Sequence, residues 1–349
     1  MKTKSFLLGL IIIISAFFGG CGVDTNVVSI ENSAPSFEVH YIDVGQGDAS
    51  LIICDGKTML IDGGNVSDSS LVVSYIDNLG IEKIDYIVCS HAHEDHLGGL
   101  SGPLNKFKVE NVFAPATGSD TDAYKGFLEV TEAQGLEIKT PGPGDIIYLG
   151  SAEVTFFGPV NEDESDLNNT SIVLKVAYGE TSFLFMGDAE RASEEAIIEQ
   201  GFDLKSTVLK VGHHGSNYST TYPFLREVMP EYGVISVGKD NIYNHPEDDL
   251  LSRLRDSGTT VYRTDFQGDI VITSDGKNVS ISTEKTNRAV TNPTVEISNG
   301  TYIGNINSKI FHTSDCGSLP LEKNRIYFDS IEEAARSGYR ECELCGVDR

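Results

Sequence analysis

The chain has 349 residues, of which 40% are apolar and only 11 are prolines, so the composition excludes a disordered polymer and allows a sizeable core. Its 26 Lys and Arg residues stand against 52 Asp and Glu residues, which gives a net charge of −26 at pH 7. Such a surface repels nucleic-acid phosphates and anionic lipids at long range. A polyanionic partner therefore has to be bound at a local site.

The first segment, residues 1–20, has the pattern of a signal peptide. Two lysines precede a thirteen-residue apolar run from Phe6 to Phe18, and Gly19 and Gly20 then precede Cys21. A membrane span needs about 20 apolar residues, so this run is too short. The small residues before Cys21 resemble a bacterial lipobox, which implies lipidation of Cys21; plain secretion is the alternative. Residues 21–35 are then a polar tether.

From Phe37 to about Ser282, short apolar runs alternate with helical stretches. Strands grouped early and then alternating with helices predict an α/β fold, with two sheets packed face to face and helices outside. The predicted strands are 37–44, 48–54, 58–62, 84–89, 152–158, 170–178, 181–187, 206–212, 232–238, 259–263 and 268–273. The predicted helices are 70–79, 119–134, 189–200, 219–229 and 247–256.

A histidine-rich segment follows the predicted strand at residues 84–89. It places four potential metal ligands within six residues, and these are His91, His93, Asp95 and His96. A loop leaving a strand directs the first two toward one ion, whereas the last two enter a helix and face a second ion. Imidazole and carboxylate ligands without thiolate suit zinc or manganese. We therefore expect two divalent cations.

The run from His91 to His96 resembles the HxHxDH signature of the metallo-β-lactamase superfamily, which implies a four-layer αββα sandwich. Further motifs resemble the nuclease-like domain of ComEC competence proteins over residues 36–283. These motifs are Asp43–Ala49, Leu60–Gly64, Asn168–Ser171, Gly187-Asp188, His213–Ser216 and Asn244–Pro246.

The resemblance implies further metal ligands. Asp188 is expected to bridge two cations. One of His213 and His214 is expected to bind the second metal, and we favour His213. The other histidine would contact phosphate or donate a proton, and His245 is an alternative for either role.

Other side chains are expected to support the metals or the substrate. Asp62 would orient a ligand histidine through a hydrogen bond. Asn169, Ser216 and Gln46 are expected to bind substrate. Asn169 stands where many superfamily members have a third histidine for the first metal, which favours manganese or looser zinc binding.

This constellation predicts a dinuclear phosphodiesterase whose metals activate water and offset the charge of the phosphate. Asp95, His214 and His245 are the expected catalytic residues, with a histidine protonating the leaving group. The ComEC resemblance implies an extracellular nuclease that acts on DNA beside a DNA-uptake machinery. We expect a monomer that is lipid-anchored on the outer face of a bacterial membrane, or secreted.

Other functions remain open. The acidic surface fits a cationic choline better than DNA, so a phosphorylcholine or cell-wall phosphodiester esterase is one alternative. A surface receptor that binds DNA without turnover is another, although an inactive site has no need of Asp95, His96 and Asp188. Lactam hydrolysis is a more distant alternative, because the motifs resemble those of phosphodiesterases.

A polar segment, residues 284–300, separates a small cysteine-bearing module at residues 301–349. One imidazole and three thiolates there fit a closed, structural zinc site, and a disulfide is the alternative. The module resembles the zinc domain of the Ada repair protein, but a histidine replaces one Ada cysteine, so methyl-acceptor reactivity is not implied. The expected zinc ligands are His312, Cys316, Cys342 and Cys345.

Overall fold

The computed structural model describes residues 37–287 except 162 and 164, and residues 302–342 except 314, 315, 317, 322, 323 and 329. The predictions for the signal peptide, for lipidation of Cys21 and for the zinc ligand Cys345 lie outside these residues. Within the described ranges, no helix combines the length and apolar character needed to cross a bilayer.

Two sheets form the large domain. The first has the strand order β15-β14-β1-β2-β3-β4-β5-β6, and the second has the order β13-β12-β11-β10-β9-β8-β7. The strands are β1 (Phe37–Tyr41), β2 (Ser50–Cys54), β3 (Lys57–Ile61), β4 (Lys83–Val88), β5 (Lys108–Phe113), β6 (Ile138–Lys139), β7 (Ile146–Leu149), β8 (Ala152–Phe156), β9 (Leu174–Tyr178), β10 (Thr181–Phe185), β11 (Val208–Lys210), β12 (Tyr232–Ile235), β13 (Thr260–Arg263), β14 (Ile270–Ser274) and β15 (Val279–Thr283).

Helices cover the outer faces of both sheets. They are α1 (Ser69–Asn78), α2 (Glu94–Leu97), α3 (Ser101–Lys106), α4 (Asp122–Ala133), α5 (Arg191–Glu199), α6 (Tyr222–Val228), α7 (Asp248–Asp256) and α8 (Thr264–Gln267).

Three apolar clusters hold these layers together. One fills the space between the sheets, where alternate side chains such as Phe37, Val39 and Tyr41 of β1 point inward. A second packs α1 and α4 on the first sheet, and a third packs α5, α6 and α7 on the second. The resulting order of helices, sheet, sheet and helices confirms the expected αββα sandwich.

The predicted strands are correctly placed but run too far at several carboxyl ends. The strand predicted at 37–44 ends at Tyr41, although Ile42 and Val44 are buried. Apolar residues in the sequence indicate buried side chains, and burial continues into the loops. They do not show where hydrogen bonding between strands ends. The sequence analysis missed β5 because the polar residues Glu110 and Asn111 interrupt its apolar pattern.

The C-terminal module has its own sheet with the order β18-β16-β17-β19. A short helix, α9 (Ile331–Arg336), begins at Ser330, whose hydroxyl accepts a hydrogen bond from the backbone N–H of Glu333 at 3.1 Å. Its core consists mainly of Phe311, Phe328, Ala334 and Tyr339. The module strands are β16 (Tyr302–Asn305), β17 (Ile310–Thr313), β18 (Arg325–Phe328) and β19 (Arg340–Glu341).

Candidate metal centre

The candidate ligands lie in loops that leave the carboxyl ends of strands. The histidine-rich segment follows β4, Asp188 follows β10, and His213 and His214 follow β11. β10, β11 and β12 are parallel neighbours, so their carboxyl ends lie along one edge of the second sheet. Loops of distant sequence therefore converge at a single place.

Three side chains form the first donor set, namely His91, His93 and Asp188, whose ligand atoms lie within 4.8 Å of one another. His91 Nε2 is 3.0 Å from His93 Nδ1 and 3.8 Å from Asp188 Oδ2. His91 is fully buried. This geometry directs two imidazole nitrogens and a carboxylate oxygen at one point.

The second donor set consists of Asp95, His96 and His214. The Nε2 atoms of the two histidines are 3.2 Å apart, and Asp95 Oδ2 is 3.2 Å from His214 Nε2. The side chain of Asp95 retains 27% exposure, whereas both histidines are buried. The second donor set is therefore open to solvent on the side of Asp95.

Asp188 lies between the two donor sets. Its Oδ1 atom is 3.2 Å from His96 Nε2, and its Oδ2 atom is 3.8 Å from His91 Nε2. Oδ1 is buried and has no partner in hydrogen-bond geometry. A buried oxygen without a partner is costly unless a cation binds it. These donors thus fit two divalent cations that share Asp188.

The electrostatics of the site agree with this fit. Burial alone would lower the pKa of His214, but Asp188 and Asp48 outweigh burial and raise that pKa to about 10. Carboxylates that stabilise a proton on this imidazole would equally stabilise a metal cation. The site therefore favours a positive charge in its interior.

The two adjacent histidines face differently from the sequence-based expectation. His214, not the favoured His213, lies in the second donor set. His213 is partly exposed, and its Nδ1 atom is 3.1 Å from Glu190 Oε1. Both residues have positive φ angles of 47° and 51°, which turn successive side chains in different directions. The geometry thus supports His214 as ligand and leaves His213 for another role.

Asp62 makes the kind of contact that was expected of it. Its Oδ2 atom lies 2.9 Å from His96 Nδ1, and Ser90 donates to both carboxylate oxygens at 2.7 Å. An acceptor at Nδ1 leaves the Nε2 lone pair of His96 directed at the second donor set. Asp62 therefore fixes the orientation of a candidate ligand.

A buried ion pair behind His214 was missed by the sequence analysis. Lys210 Nζ is 2.7 Å from Asp48 Oδ2, and Asp48 Oδ1 is 3.2 Å from His214 Nδ1. Burial would raise the pKa of Asp48, but Lys210 and His214 outweigh it and lower that pKa to about 2. The signal available in the sequence was a lysine inside the apolar strand β11.

Two of the expected substrate contacts, Asn169 and Ser216, lie buried against neighbouring groups. Asn169 is buried, accepts hydrogen bonds from the backbone N–H groups of Glu190 and Ser193, and donates to Asp166. It therefore holds the start of α5. Ser216 is also buried, and its hydroxyl accepts a hydrogen bond from the backbone N–H of Tyr218. Both side chains are thus engaged by neighbouring groups.

Gln46 remains a candidate substrate contact. Its Oε1 atom accepts a hydrogen bond from the backbone N–H of Gly238 at 3.1 Å, whereas its Nε2 atom has no partner. The side chain lines the same cavity as Asp95. An unpaired amide donor beside the second donor set suits an acceptor on a substrate.

His245 lies at the edge of the site. Its ring contacts that of His213 at 5.4 Å between centroids, and its Nδ1 atom is buried without a partner. Burial, followed by the neighbouring His213 and His214, lowers the pKa of His245 to about 4. A neutral imidazole at pH 7 is poorly suited to the expected role of proton donor.

Glycine is required at two positions beside the ligands. A Cβ atom on Gly47, whose φ is 147°, would lie 2.5 Å from the backbone oxygen of Asp95. A Cβ atom on Gly187, whose φ is 52°, would lie 2.8 Å from the Cβ atom of Ser90. These glycines let the backbone approach the metal-ligating loops closely.

A separate cluster lies in the C-terminal module. His312, Cys316 and Cys342 place their ligand atoms within 4.8 Å of one another, and His312 Nδ1 is 3.3 Å from Cys316 Sγ. His312 and Cys342 are buried. Imidazole and thiolates in this arrangement suit tetrahedral zinc.

Two family models match this chain, one over each region that carries a cluster of candidate metal ligands. Residues 42–239 match the model of the metallo-beta-lactamase superfamily, and residues 286–348 match that of the metal binding domain of Ada. A solved structure of similar fold is the metallo-beta-lactamase fold protein YhfI from Bacillus subtilis. It has 15% identity and a TM-score of 0.43, and the match covers 70% of this chain and 99% of that chain.

Two relatives are competence proteins by name. The chain is 30% identical over 251 residues to ComE operon protein 3 of Bacillus subtilis (strain 168), which covers 67% of this chain and 32% of that protein. It is 31% identical over 228 residues to Competence protein ComA of Neisseria gonorrhoeae, which covers 65% of this chain and 30% of that protein. The chain thus spans about a third of the length of these relatives. It belongs to the metallo-beta-lactamase superfamily, carries an Ada-type metal-binding domain, and has ComE-type competence proteins among its homologues.

Proposed function

We propose that the large domain is a dinuclear, divalent-metal-dependent phosphodiesterase that cleaves nucleic acid, with DNA as the expected substrate. The observation that carries this proposal is the position of Asp188 between two donor sets, one of which is open through Asp95. Two cations held a few Å apart are an arrangement suited to phosphate esters, because they clamp the oxygens of an in-line displacement.

The metals, zinc or manganese, would supply Lewis acidity and lower the pKa of a bound water. His91, His93, Asp95, His96, Asp188 and His214 would hold them. Asp62 orients His96 through Nδ1, and the backbone oxygen of Ser236, 3.0 Å from His214 Nδ1, orients His214 in the same way. Both imidazoles are therefore set to bind through Nε2.

His213 is the best-placed group to hold a proton for the leaving oxygen. Its side chain is 21% exposed, Glu190 lies 3.1 Å from its Nδ1 atom, and its Nε2 atom lies 3.7 Å from Asp188 Oδ2, beside the candidate metal centre. The contact with His213 lowers the pKa of Glu190, so this carboxylate stays charged beside the imidazole. His213 thus takes the role that the sequence analysis gave to His214 or His245.

The ComE-type relatives support DNA as substrate, and the superfamily match supports hydrolysis. The protein would be a monomer with a hydrolase domain at 36–283, a linker at 284–300 and a zinc module at 301–349. It would act outside the cell, anchored through Cys21 or secreted after removal of residues 1–20, beside a DNA-uptake machinery. The strongly acidic chain implies that affinity for DNA arises locally.

A choline phosphodiester is the second candidate substrate. A cavity next to His245 carries five carboxylates against one lysine and one arginine. Such a rim attracts a quaternary ammonium group more readily than a polyanion. The acidic residues are Asp240, Glu247, Asp248, Asp249 and Asp265.

A panel of substrates tests the proposal. Residues 36–349 would be incubated with single-stranded DNA, double-stranded DNA, RNA, bis(p-nitrophenyl) phosphate and p-nitrophenyl phosphorylcholine, in zinc or manganese. Asp188→Ala removes the shared ligand, and Asp120→Ala, at a fully exposed side chain, is the matched control. DNA cleavage that is lost only in Asp188→Ala supports the nuclease. Cleavage of the choline ester alone selects the second candidate, and DNA binding without turnover indicates a receptor.

A further inference from the structure

A cavity of about 540 Å³ lies beside the open side of the second donor set. Asp95 contributes one wall, Gln46 lies next to it, and Tyr243 forms another part of the lining. The cavity is therefore continuous with the place where a phosphodiester would be cleaved. Tyr243 is not one of the candidate metal ligands, and the residue is 57% exposed.

The ring of Tyr243 is supported by His245. It stacks on His245 with centroids 5.8 Å apart and an interplanar angle of 26°. His245 in turn contacts His213, and His213 contacts His214 of the second donor set. A continuous series of rings thus connects the candidate metal ligands to an aromatic face that is open to solvent.

The loop that carries Tyr243 is held in place by Asn241. The Asn241 Oδ1 atom accepts hydrogen bonds from the backbone N–H groups of Tyr243 and His245 at 3.1 and 3.0 Å. Its Nδ2 atom donates to the backbone oxygens of Gly238 and His245 at 2.9 and 2.6 Å. An exposed aromatic ring on a fixed loop loses little freedom when it binds a ligand.

The charges of the cavity select which part of a nucleic acid fits there. Its described lining contains four carboxylates, including Glu94 and Asp240 at exposed positions, and no lysine or arginine. Phosphate groups are repelled by such a lining. Carboxylates do accept hydrogen bonds from the exocyclic amines of bases, and every base has a face that stacks on an aromatic ring.

We propose that this cavity is a nucleobase subsite. Tyr243 stacks on the base next to the cleaved phosphodiester, and Glu94 and Asp240 accept hydrogen bonds from exocyclic amino groups. This inference rests on the proposed nuclease function and narrows its substrate class to single-stranded nucleic acid. Base faces are hidden inside a duplex, so a paired strand would have to open before its base entered the cavity.

The test combines a variant with a modified substrate. KM would be measured for the original chain, Tyr243→Ala and the conservative Tyr243→Phe on a single-stranded oligodeoxynucleotide, and on the same strand with abasic positions flanking the cleavage site. We expect Tyr243→Ala to raise KM for the intact strand about tenfold, because base stacking on an aromatic ring is of that size. Tyr243→Phe keeps the ring and should stay within about twofold of the original KM. On the abasic strand, the original chain and Tyr243→Ala should have equal KM values.

Two results would overturn the subsite. One is an unchanged KM of Tyr243→Ala on the intact strand, and the other is an equal loss on the intact and abasic strands. Both leave the nuclease function in place. If the original chain cleaves no nucleic acid at all, the function itself is rejected and the subsite with it, so the two failures are distinguishable.

Discussion

The two metal-ligating clusters of this chain are built in opposite ways. In the large domain, imidazoles and carboxylates converge from three loops, and Asp62, Ser236 and the Asp48–Lys210 pair hold them from behind. In the C-terminal module, His312, Cys316 and Cys342 lie around a core formed by only a few side chains. The surrounding side chains of the large domain therefore keep the first cluster in place. The second cluster has only a small core packed around it.

This difference separates a chemical role from a structural one. Three extensive apolar clusters stabilise the large domain without a metal, so its donors can keep one side open to solvent. A module with a small core depends on its metal for folding. Ligand type agrees with this division, since thiolates complete closed zinc shells and mixed imidazole and carboxylate sets leave positions for water.

Removal of a ligand from the first donor set should have the largest effect. We expect His91→Ala to lower kcat/KM for single-stranded DNA on the order of a thousandfold, because a metal contributes several kcal/mol to the transition state. Thermal unfolding should still show a folded large domain. Unchanged hydrolysis by His91→Ala would contradict the assignment of this set, and Asp120→Ala provides the control.

The buried pair of Lys210 and Asp48 lies behind the candidate metal centre, and substitution shows how much it stabilises the large domain. Lys210→Met leaves Asp48 buried without its cation, and both side chains are at most 5% exposed. We expect a loss of about 3–5 kcal/mol in the free energy of unfolding, measured by urea denaturation. The double variant Asp48→Asn with Lys210→Met should recover part of this loss. A single variant as stable as the original chain would refute the argument.

A smaller effect on metal affinity and activity is expected from substitution of Asp62, which orients His96. Asp62→Asn keeps the size of the side chain but weakens the acceptor for His96 Nδ1. Loss of such a contact should lower metal affinity or activity by about 10- to 100-fold. Titration of the metal-free chain with zinc, followed by activity, measures both. An affinity equal to that of the original chain would show that Asp62 serves only the backbone at Ser90.

The smallest effect on hydrolysis is expected from the C-terminal module. Cys342→Ser should remove the module's zinc and unfold the module, because a small metal domain needs its ion. Hydrolysis of DNA by the large domain should stay within about twofold. Metal analysis and limited proteolysis would follow the module. A parallel loss of hydrolysis would show that the two regions are not independent.

The sequence was sufficient for the fold, and it indicated candidate donor residues, because both have local signals. The pattern from His91 to His96 is compact, and the αββα order follows from apolar runs of recognisable length. Asp188 was predicted from the resemblance of Gly187-Asp188 to a family motif. These features depend on residues close in sequence.

The sequence could not predict the contacts that depend on backbone geometry. Adjacent histidines cannot be told apart by sequence, and the positive φ angles at His213 and His214 determine which one turns inward. Asn169 and Ser216 lie in the expected loops, but their polar groups bind neighbouring backbone. The pairing of Asp48 with Lys210 joins residues far apart in the chain. None of these contacts has a local pattern.

The most direct test of a dinuclear site that shares Asp188 compares the original chain with Asp188→Asn. Bound metal and hydrolysis would be measured in the same samples. We expect the original chain to hold two divalent ions in the large domain and one in the module. Asp188→Asn should keep the metal of the module, lose metal from the large domain and lose cleavage of single-stranded DNA. Undiminished cleavage by Asp188→Asn, or cleavage by a chain that holds metal only in the module, would contradict the account.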